Sequence, residues 1–245
     1  MKRRNVLAGI AAAFTAGCTK IGETEWFGTV VRKAEDLHRG TQRALGRPTL
    51  APEFSKADIS PFFRGNGSLQ VDTDAYRASA AAGFADWRLA VSGLVERPLD
   101  LSLDQLRALP QRTQITRHNC VEGWSAIAEW TGPQLAAILQ LAGVGPNARY
   151  VVLRCADELK GARYYESIDM DDALHPQTII AHALNGAALP VLNGAPLRLR
   201  VERQLGYKHA KYLTGIELVA SLAEVEGGRG GYWEDRAGYQ WYAGI

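Results

Sequence analysis

Cysteine is scarce in this chain: Cys18, Cys120 and Cys155 are the three among 245 residues. None lies in a CxxC pair or in a Cys/His cluster with zinc spacing, which argues against a structural zinc site, and no CxxCH stretch is present to attach a haem. Net charge is nearly absent as well. There are 28 basic side chains against 26 acidic ones, and without Lys2, Arg3 and Arg4 the balance is 25 against 26. No global electrostatic footprint for nucleic acid is left. No glycine-rich phosphate loop follows an extended segment, so neither a dinucleotide-binding domain nor a P-loop is supported. Internal repeats and low-complexity tracts are also missing. What is present is ordinary globular usage, 47% hydrophobic and 22% charged residues, in a chain long enough for one large domain or two small ones.

The N-terminus reads as an export signal. Met1–Arg4 is basic, Val6–Phe14 is a short apolar run, and Ala16-Gly17-Cys18 is a small-residue site. The run is too short to span a bilayer. Lys2-Arg3-Arg4-Asn5-Val6-Leu7 resembles a twin-arginine signal, a route that moves folded proteins to the periplasm. Thr15-Ala16-Gly17-Cys18 resembles a lipobox with Thr where Leu is usual, which makes Cys18 a candidate for lipid anchoring to the membrane. Residues 18–58 are expected to form a linker that wraps the surface, because Arg47-Pro48 and Ala51-Pro52 break any helix. The remaining residues, 59–245, form the expected catalytic domain.

From Trp87 onward the pattern alternates strands and short helices. Trp87–Val95 reads as a strand, with Gly93 suggesting a bulge. Ser102-Leu103-Asp104-Gln105 is a capping box opening a helix that ends by Pro110. Thr113–Arg117 reads as extended, and Thr131-Gly132-Pro133-Gln134 as the start of a helix burying Leu135, Ile138, Leu139 and Ala142, with Gly143 beyond its end. Tyr150–Cys155, Thr178–Leu184, Leu189–Leu192, Leu197–Val201 and Leu213–Val219 read as strands. Asn185-Gly186 and Asn193-Gly194 mark reversals. Without regular βαβ spacing the expected class is α+β, a compact mixed-sheet domain with short helices.

The informative segment is Arg117-His118-Asn119-Cys120-Val121-Glu122-Gly123-Trp124-Ser125. It places a thiol beside a guanidinium and an imidazole, and positive neighbours favour the thiolate needed for nucleophilic attack or metal binding. A lone cysteine is also among the most buried residue types, so the segment alone leaves an inert core thiol open. Further on, Arg198, Arg200, Arg203, Lys208 and Lys211 are opposed only by Glu202. Arg198 and Arg200 share one face of a strand. That stretch suits a phosphate, or else a solvated strand edge. His182 and His175 read as structural. Glu122 either orients the cysteine loop or moves a proton. The aromatic tail from Tyr232-Trp233 to Trp241-Tyr242 either packs over the domain or marks a partner surface.

Arg117-His118-x-Cys120-Val121-Glu122-x-Trp124-Ser125 with Trp130-Thr131-Gly132, then Asn193-Gly194-Ala195-Pro196-Leu197-Arg198-Leu199 and Gly206-Tyr207-Lys208-His209-Ala210-Lys211, resemble the cofactor-binding centre of the sulfite oxidase superfamily. The likeness runs from about Ile59 to Leu218, on the bacterial branch that includes protein-methionine-sulfoxide reductases. The resemblance implies a compact α+β domain around a molybdenum–molybdopterin cofactor, with Cys120 as the metal's thiolate ligand. Soft thiolates suit such metals. It also implies pterin or phosphate contacts from Asn193, Arg198, His209, Ala210 and Lys211. Ser60-Pro61-Phe62-Phe63-Arg64 corresponds to an N-terminal pterin-contacting segment, with Arg64 in place of an acidic residue. Asn66 is a further candidate. Cys155 stands where a relative has a cofactor-contacting threonine, or is simply a core thiol.

The function implied is two-electron oxygen-atom transfer, either sulfite oxidase-like or sulfoxide reductase-like. Arg117 and His118 are candidates to shape the metal's surroundings or attract substrate. With no haem in this chain, electrons are expected to pass through a separate redox partner, a membrane b-type or soluble c-type cytochrome. Two other classes fit parts of the pattern. One is a metal-free cysteine hydrolase pairing Cys120 with His118 or His209, and the other is an anion-binding lipoprotein.

Overall fold

A computed structural model describes residues 24, 26, 30, 33, 34, 37, 40, 41, 44 and 49–245. The proposed leader and Cys18 lie outside these. The chain divides into two compact units, 1–49 and 50–245. In the first, which falls in the stretch expected to be a linker, residues 26, 30, 33, 34, 37, 40, 41 and 44 are helical. Among the described residues no helix is long and apolar enough to cross a membrane.

The second unit is built on three sheets. A five-stranded sheet runs in the order β2 (Leu99–Ser102), β1 (Arg88–Gly93), β11 (Leu213–Val219), β5 (Tyr150–Leu159), β6 (Ala162–Asp169). Its β1–β11 pair is parallel and the others are antiparallel. A four-stranded antiparallel sheet joins β3 (Gln111–Asn119), β4 (Ser125–Pro133), β8 (Ala183–Leu184) and β9 (Ala187–Ala188). A two-stranded pair joins β7 (Ile179–Ala181) to β10 (Arg198–Arg200). Five short helices accompany them: α1 (Asp74–Ala81), α2 (Leu103–Ala108), α3 (Leu135–Ala142), α4 (Met170–Ala173) and α5 (Tyr232–Ala237). Mixed pairing with segregated short helices is the expected α+β class.

Two cores follow from the patterning. Leu89 and Val91 of β1, Val151–Leu153 of β5, Ile216 and Leu218 of β11 and the buried stripe Leu135, Ile138, Leu139, Ala142 of α3 form the larger one. The second packs Phe63, Ala126, Ala128, Trp130, Ile179 and Ala181 under β3 and β4. The capping box is formed as read: Gln105 N–H donates to Ser102 Oγ (3.2 Å) and Ser102 N–H to Gln105 Oε1 (2.8 Å). Asn185 and Gly186 both adopt positive φ, 50° and 77°, as the two-residue hairpin between β8 and β9 demands.

Several boundaries differ from the sequence pattern. Thr131–Pro133 close β4 instead of opening a helix, and α3 starts at Leu135. A Cβ at Gly132 would lie 2.1 Å from the Ile180 carbonyl oxygen, so close strand packing fixes that glycine. Gly93 stays in register with Leu218, and close approach to that residue's carbonyl accounts for it instead of a bulge. The Leu189–Leu192 run is no strand; Val191–Asn193 form a 3-10 turn closed by left-handed Gly194. The stretch from Leu50 belongs to the second unit. The Gln177 side chain clamps both backbone groups of Ala51 (2.7 and 3.0 Å), and Phe54 N–H donates to Ile115 (2.9 Å).

Candidate active site

The cysteine sits in the turn between β3 and β4. Cys120 N–H donates to the Trp124 carbonyl (2.9 Å) and Gly123 N–H to that of Cys120 (3.1 Å), with Gly123 at φ 86°. Period-two alternation along β3 sends His118 and Cys120 inward and Arg117 outward. Arg117 is exposed and its guanidinium lies over the Phe54 ring, 5.1 Å away. It does not line the cleft that Cys120 faces. The expectation that Arg117 and His118 lower the thiol's pKa also fails. Burial pushes the Cys120 thiol up, with Arg198 only a minor opposing influence. A metal ligated there would deprotonate it outright.

His118 is fully buried, against Phe63, Trp124 and His209. Its Nδ1 lies 2.9 Å from Arg200 Nη1. A guanidinium only donates, so Nδ1 accepts and the neutral ring carries its proton on Nε2, which has no partner. Burial first, then Arg200, Arg198 and Lys211, hold this ring neutral. His209 is the mirror case: Nε2–H donates to the Gln204 carbonyl (3.1 Å) and Nδ1 is left without a partner. Its pKa is likewise depressed, by burial and Arg200.

The basic stretch separates into two groups. Arg200 forks onto Glu202 and Arg203 pairs with Asp172, while buried Lys208 meets Glu166 (2.6 Å) and Glu234 (2.7 Å). These are internal structural pairs, neither a phosphate site nor a solvated edge. Arg198 is different. It is fully buried over the Trp130 ring (4.9 Å), beside Arg200 over the same ring (4.3 Å). Nη1 donates to the Asn193 carbonyl (3.0 Å), but Nε and Nη2 have no partner, nor has Asn193 Nδ2. Burial and Arg200 lower its pKa to about 9. Lys211 Nζ donates to the carbonyls of Asn66 (2.6 Å) and Ser68, and burial with Arg198 lowers its pKa to about 7. Gly194, at φ 104°, allows this lysine to pass, since a Cβ there would lie 2.7 Å from Lys211 Cβ.

A cleft gathers Cys120, Glu122, Asn66, His209 and Lys211. Ser68, Asp157, Gly206 and the aromatics Tyr164, Tyr207, Trp233 and Tyr239 also line it. Ser68, Asp157, Tyr164, Trp233 and Tyr239 lie in none of the motifs and are brought in only by the fold, whereas Gly206 and Tyr207 belong to the Gly206–Lys211 motif. Glu122 accepts from Trp124 Nε1 (2.9 Å), bracing the cysteine turn. Ser60 pins the N-terminal segment to β4, its N–H donating to the Ile127 carbonyl and its Oγ accepting from Ile127 N–H (both 2.9 Å), and Phe63 packs on His118. Arg64 is exposed and outside the cleft. Ala210 is buried and accepts from Leu199 N–H (2.8 Å). Cys155 is a core thiol on β5, raised well above its ordinary pKa by burial, and does not line the cleft.

Unpartnered buried donors on Arg198 and Asn193 are what a phosphate would satisfy, and unpartnered atoms on His118, His209 and Asn66 suit a polar heterocycle. No group of three or more His, Cys, Asp or Glu side chains that would hold a metal occurs among the described residues. A metal at Cys120 must therefore bring most of its ligands with it. The residues present fit a molybdopterin.

The family described as oxidoreductase molybdopterin binding domain matches residues 77–224, and the chain belongs to it. It is a molybdopterin-dependent oxidoreductase. Among its relatives, an Azospira oryzae protein with the provisional name protein-methionine-sulfoxide reductase subunit YedZ1 is 43% identical over 195 residues, 80% of this chain and 68% of that one. The protein-methionine-sulfoxide reductase catalytic subunit MsrP of Xanthomonas campestris is 36% identical over 163 residues, 62% of this chain. The chain spans about half of that relative's length, 51%. The sulfane dehydrogenase SoxCD from Paracoccus pantotrophus superposes with a TM-score of 0.52 at 24% identity, covering 56% of this chain and 39% of that one, and shares the fold.

Proposed function

We propose that this chain is the catalytic subunit of a sulfoxide reductase whose molybdenum is bound through Cys120. The observation that carries this is one thiol sharing a cleft with the partnerless polar atoms of Asn66 and His209, in a domain that also buries partnerless donors on Arg198 and Asn193. When bound, the molybdenum cofactor supplies two-electron redox chemistry coupled to oxygen-atom exchange. Arg198 and Asn193 would hold the phosphate, and Lys211, His209 and Asn66 the polar edge of the pterin. Glu122 and Trp124 fix the turn that aims the thiol. His118 Nε2–H offers a fixed donor, because Arg200 occupies Nδ1. The same bond denies His118 the free basic nitrogen that a cysteine hydrolase needs. Reduction of a sulfoxide to a sulfide consumes two electrons and two protons and releases water. The electrons come from a separate redox partner, in keeping with the subunit names of the relatives. A membrane b-type or soluble c-type cytochrome suits that role.

Protein made in a molybdenum-replete host with twin-arginine export is expected to contain about one molybdenum per chain, measured by elemental analysis. A metal-free preparation from that host that cleaves esters or amides would sink the proposal in favour of a hydrolase. One with neither metal nor turnover would favour a binding protein.

The basic-apolar leader supports export to the periplasm by the twin-arginine route, and Cys18 is a lipidation candidate. Replacing Arg3 and Arg4 by Lys is expected to leave precursor in the cytoplasm, followed by cell fractionation. Undiminished periplasmic arrival would end the twin-arginine assignment. Cys18→Ala should release protein from the membrane only if that residue carries lipid.

A further inference from the structure

One wall of the cleft comes from beyond the family match, which ends at residue 224. Trp233 and Tyr239 stack with centroids 5.6 Å apart at 23°, and Tyr207 meets Tyr239 edge-on at 5.1 Å. Both Trp233 and Tyr239 are half-buried, so part of each ring stays open.

A six-residue helix such as α5 has no stability of its own. It is held by buried ionic contacts: Lys208 Nζ bridges Glu234 of α5 to Glu166 of β6. The Asp235 carboxylate receives the backbone N–H groups of Gly227 and Arg229 (3.0 Å each) and the Tyr165 hydroxyl. Tyr207 OH donates to the Gln240 carbonyl (2.6 Å), fastening the tail beyond Tyr239. The wall is therefore placed rigidly, which is what a recognition surface requires and a passive tail does not.

The charge of the cleft narrows what this wall takes. Its ionisable lining includes Glu122 and Asp157, and Lys211, which donates to the Asn66 and Ser68 carbonyls, is the group assigned above to the pterin. No arginine lines it. A small dianion finds little to bind there, whereas a neutral molecule with an apolar arm finds aromatic faces.

We propose that Trp233, Tyr239 and Tyr207 form a subsite for the apolar or aromatic substituent of an uncharged sulfoxide. This rests on the reading of the Cys120 cleft as the place of oxygen exchange. Recognition comes from the flat ring faces, and selectivity from the contrast between bulky and small substituents.

The test compares methyl phenyl sulfoxide with dimethyl sulfoxide, using the cofactor-loaded enzyme and its Trp233→Ala, Trp233→Phe and Tyr239→Ala variants. The expected result is a fall of about tenfold in the ratio of kcat/KM for the aryl over the methyl substrate in both alanine variants, carried mainly by KM. Trp233→Phe should keep most of the preference, and molybdenum and pterin contents should match the parent. A second readout needs no turnover: methyl phenyl sulfide should quench tryptophan fluorescence of the loaded parent, and Trp233→Phe should lose that response. An unchanged substrate ratio, loss of pterin in the variants, or quenching that survives Trp233→Phe would overturn the subsite. If the loaded parent reduces neither sulfoxide, the reaction assigned to the cleft is wrong, and the fluorescence titration still decides whether the wall binds the aryl group.

Discussion

Cys120→Ser is expected to abolish turnover while the chain still folds and retains pterin. The substitution is nearly isosteric and lies in a turn held by backbone hydrogen bonds, Cys120 N–H to Trp124 and Gly123 N–H to Cys120, which serine preserves. What changes is the donor atom. A hard oxygen replaces a soft sulfur, altering the charge the protein donates to the metal. Under the proposed assignment, pterin retention depends on contacts from other elements, chiefly Arg198, Asn193 and Lys211. Activity, pterin fluorescence after denaturation and the Mo(V) paramagnetic signal are the measurements. Full activity with an unaltered Mo(V) spectrum would disprove thiolate ligation.

Arg198→Ala should show the reverse pattern, with loss of cofactor before any change in the electronics of the metal that remains. A hydrogen bond to a charged group contributes about 1.5–3 kcal/mol, so occupancy should weaken by roughly ten- to a hundredfold. A purely structural role predicts something else. Arg198 crowds Arg200 over one indole, and that repulsion helps lower its pKa to about 9. Removing it relieves a buried like-charge contact, so the cofactor-free variant should unfold in urea close to the parent. Severe destabilisation of the cofactor-free variant, with unaltered affinity in what folds, would overturn the assignment. Arg198→Lys keeps a charge but loses the planar fork, and partial rescue is expected.

The sequence made the strongly periodic elements readable and hid those whose pattern is set by tertiary partners. The α3 stripe and the β11 alternation stand out because their buried positions are large and apolar. In β4 the inward positions Ala126 and Ala128 are small, leaving Trp130 as the one bulky signal. In β6, Glu166 and Ser167 are fully buried, and Glu166 reads as surface until Lys208 and Glu234 are seen beside it. The site divides in the same way. Cys120, Asn193, Arg198 and Lys211 lie in local motifs, so their neighbours in sequence announce them. Arg117 was misplaced because adjacency along a strand means opposite faces. Asp157, Ser68 and Trp233 come from three distant stretches that only the fold joins at one cleft. Arg200, Arg203 and Lys208 looked like phosphate ligands because their carboxylate partners are either remote in sequence or, for Glu202, already counted as mere opposition.

The partnerless donors have a consequence for the life of the chain before any chemistry occurs. Arg198 Nε and Nη2 and Asn193 Nδ2 are three buried donors without acceptors. Each costs roughly 1–3 kcal/mol when left so, while a whole domain is held by about 5–15 kcal/mol. A chain whose donors stayed unpaired would bear a load comparable to a severe core mutation. An anion that satisfies those groups binds the folded form and not the open one, and so shifts the balance by mass action. Loaded and empty molecules differ in how often they open. Under the proposed assignment, a protease that samples open states is expected to degrade cofactor-free copies first, so cofactor binding would also set which copies persist.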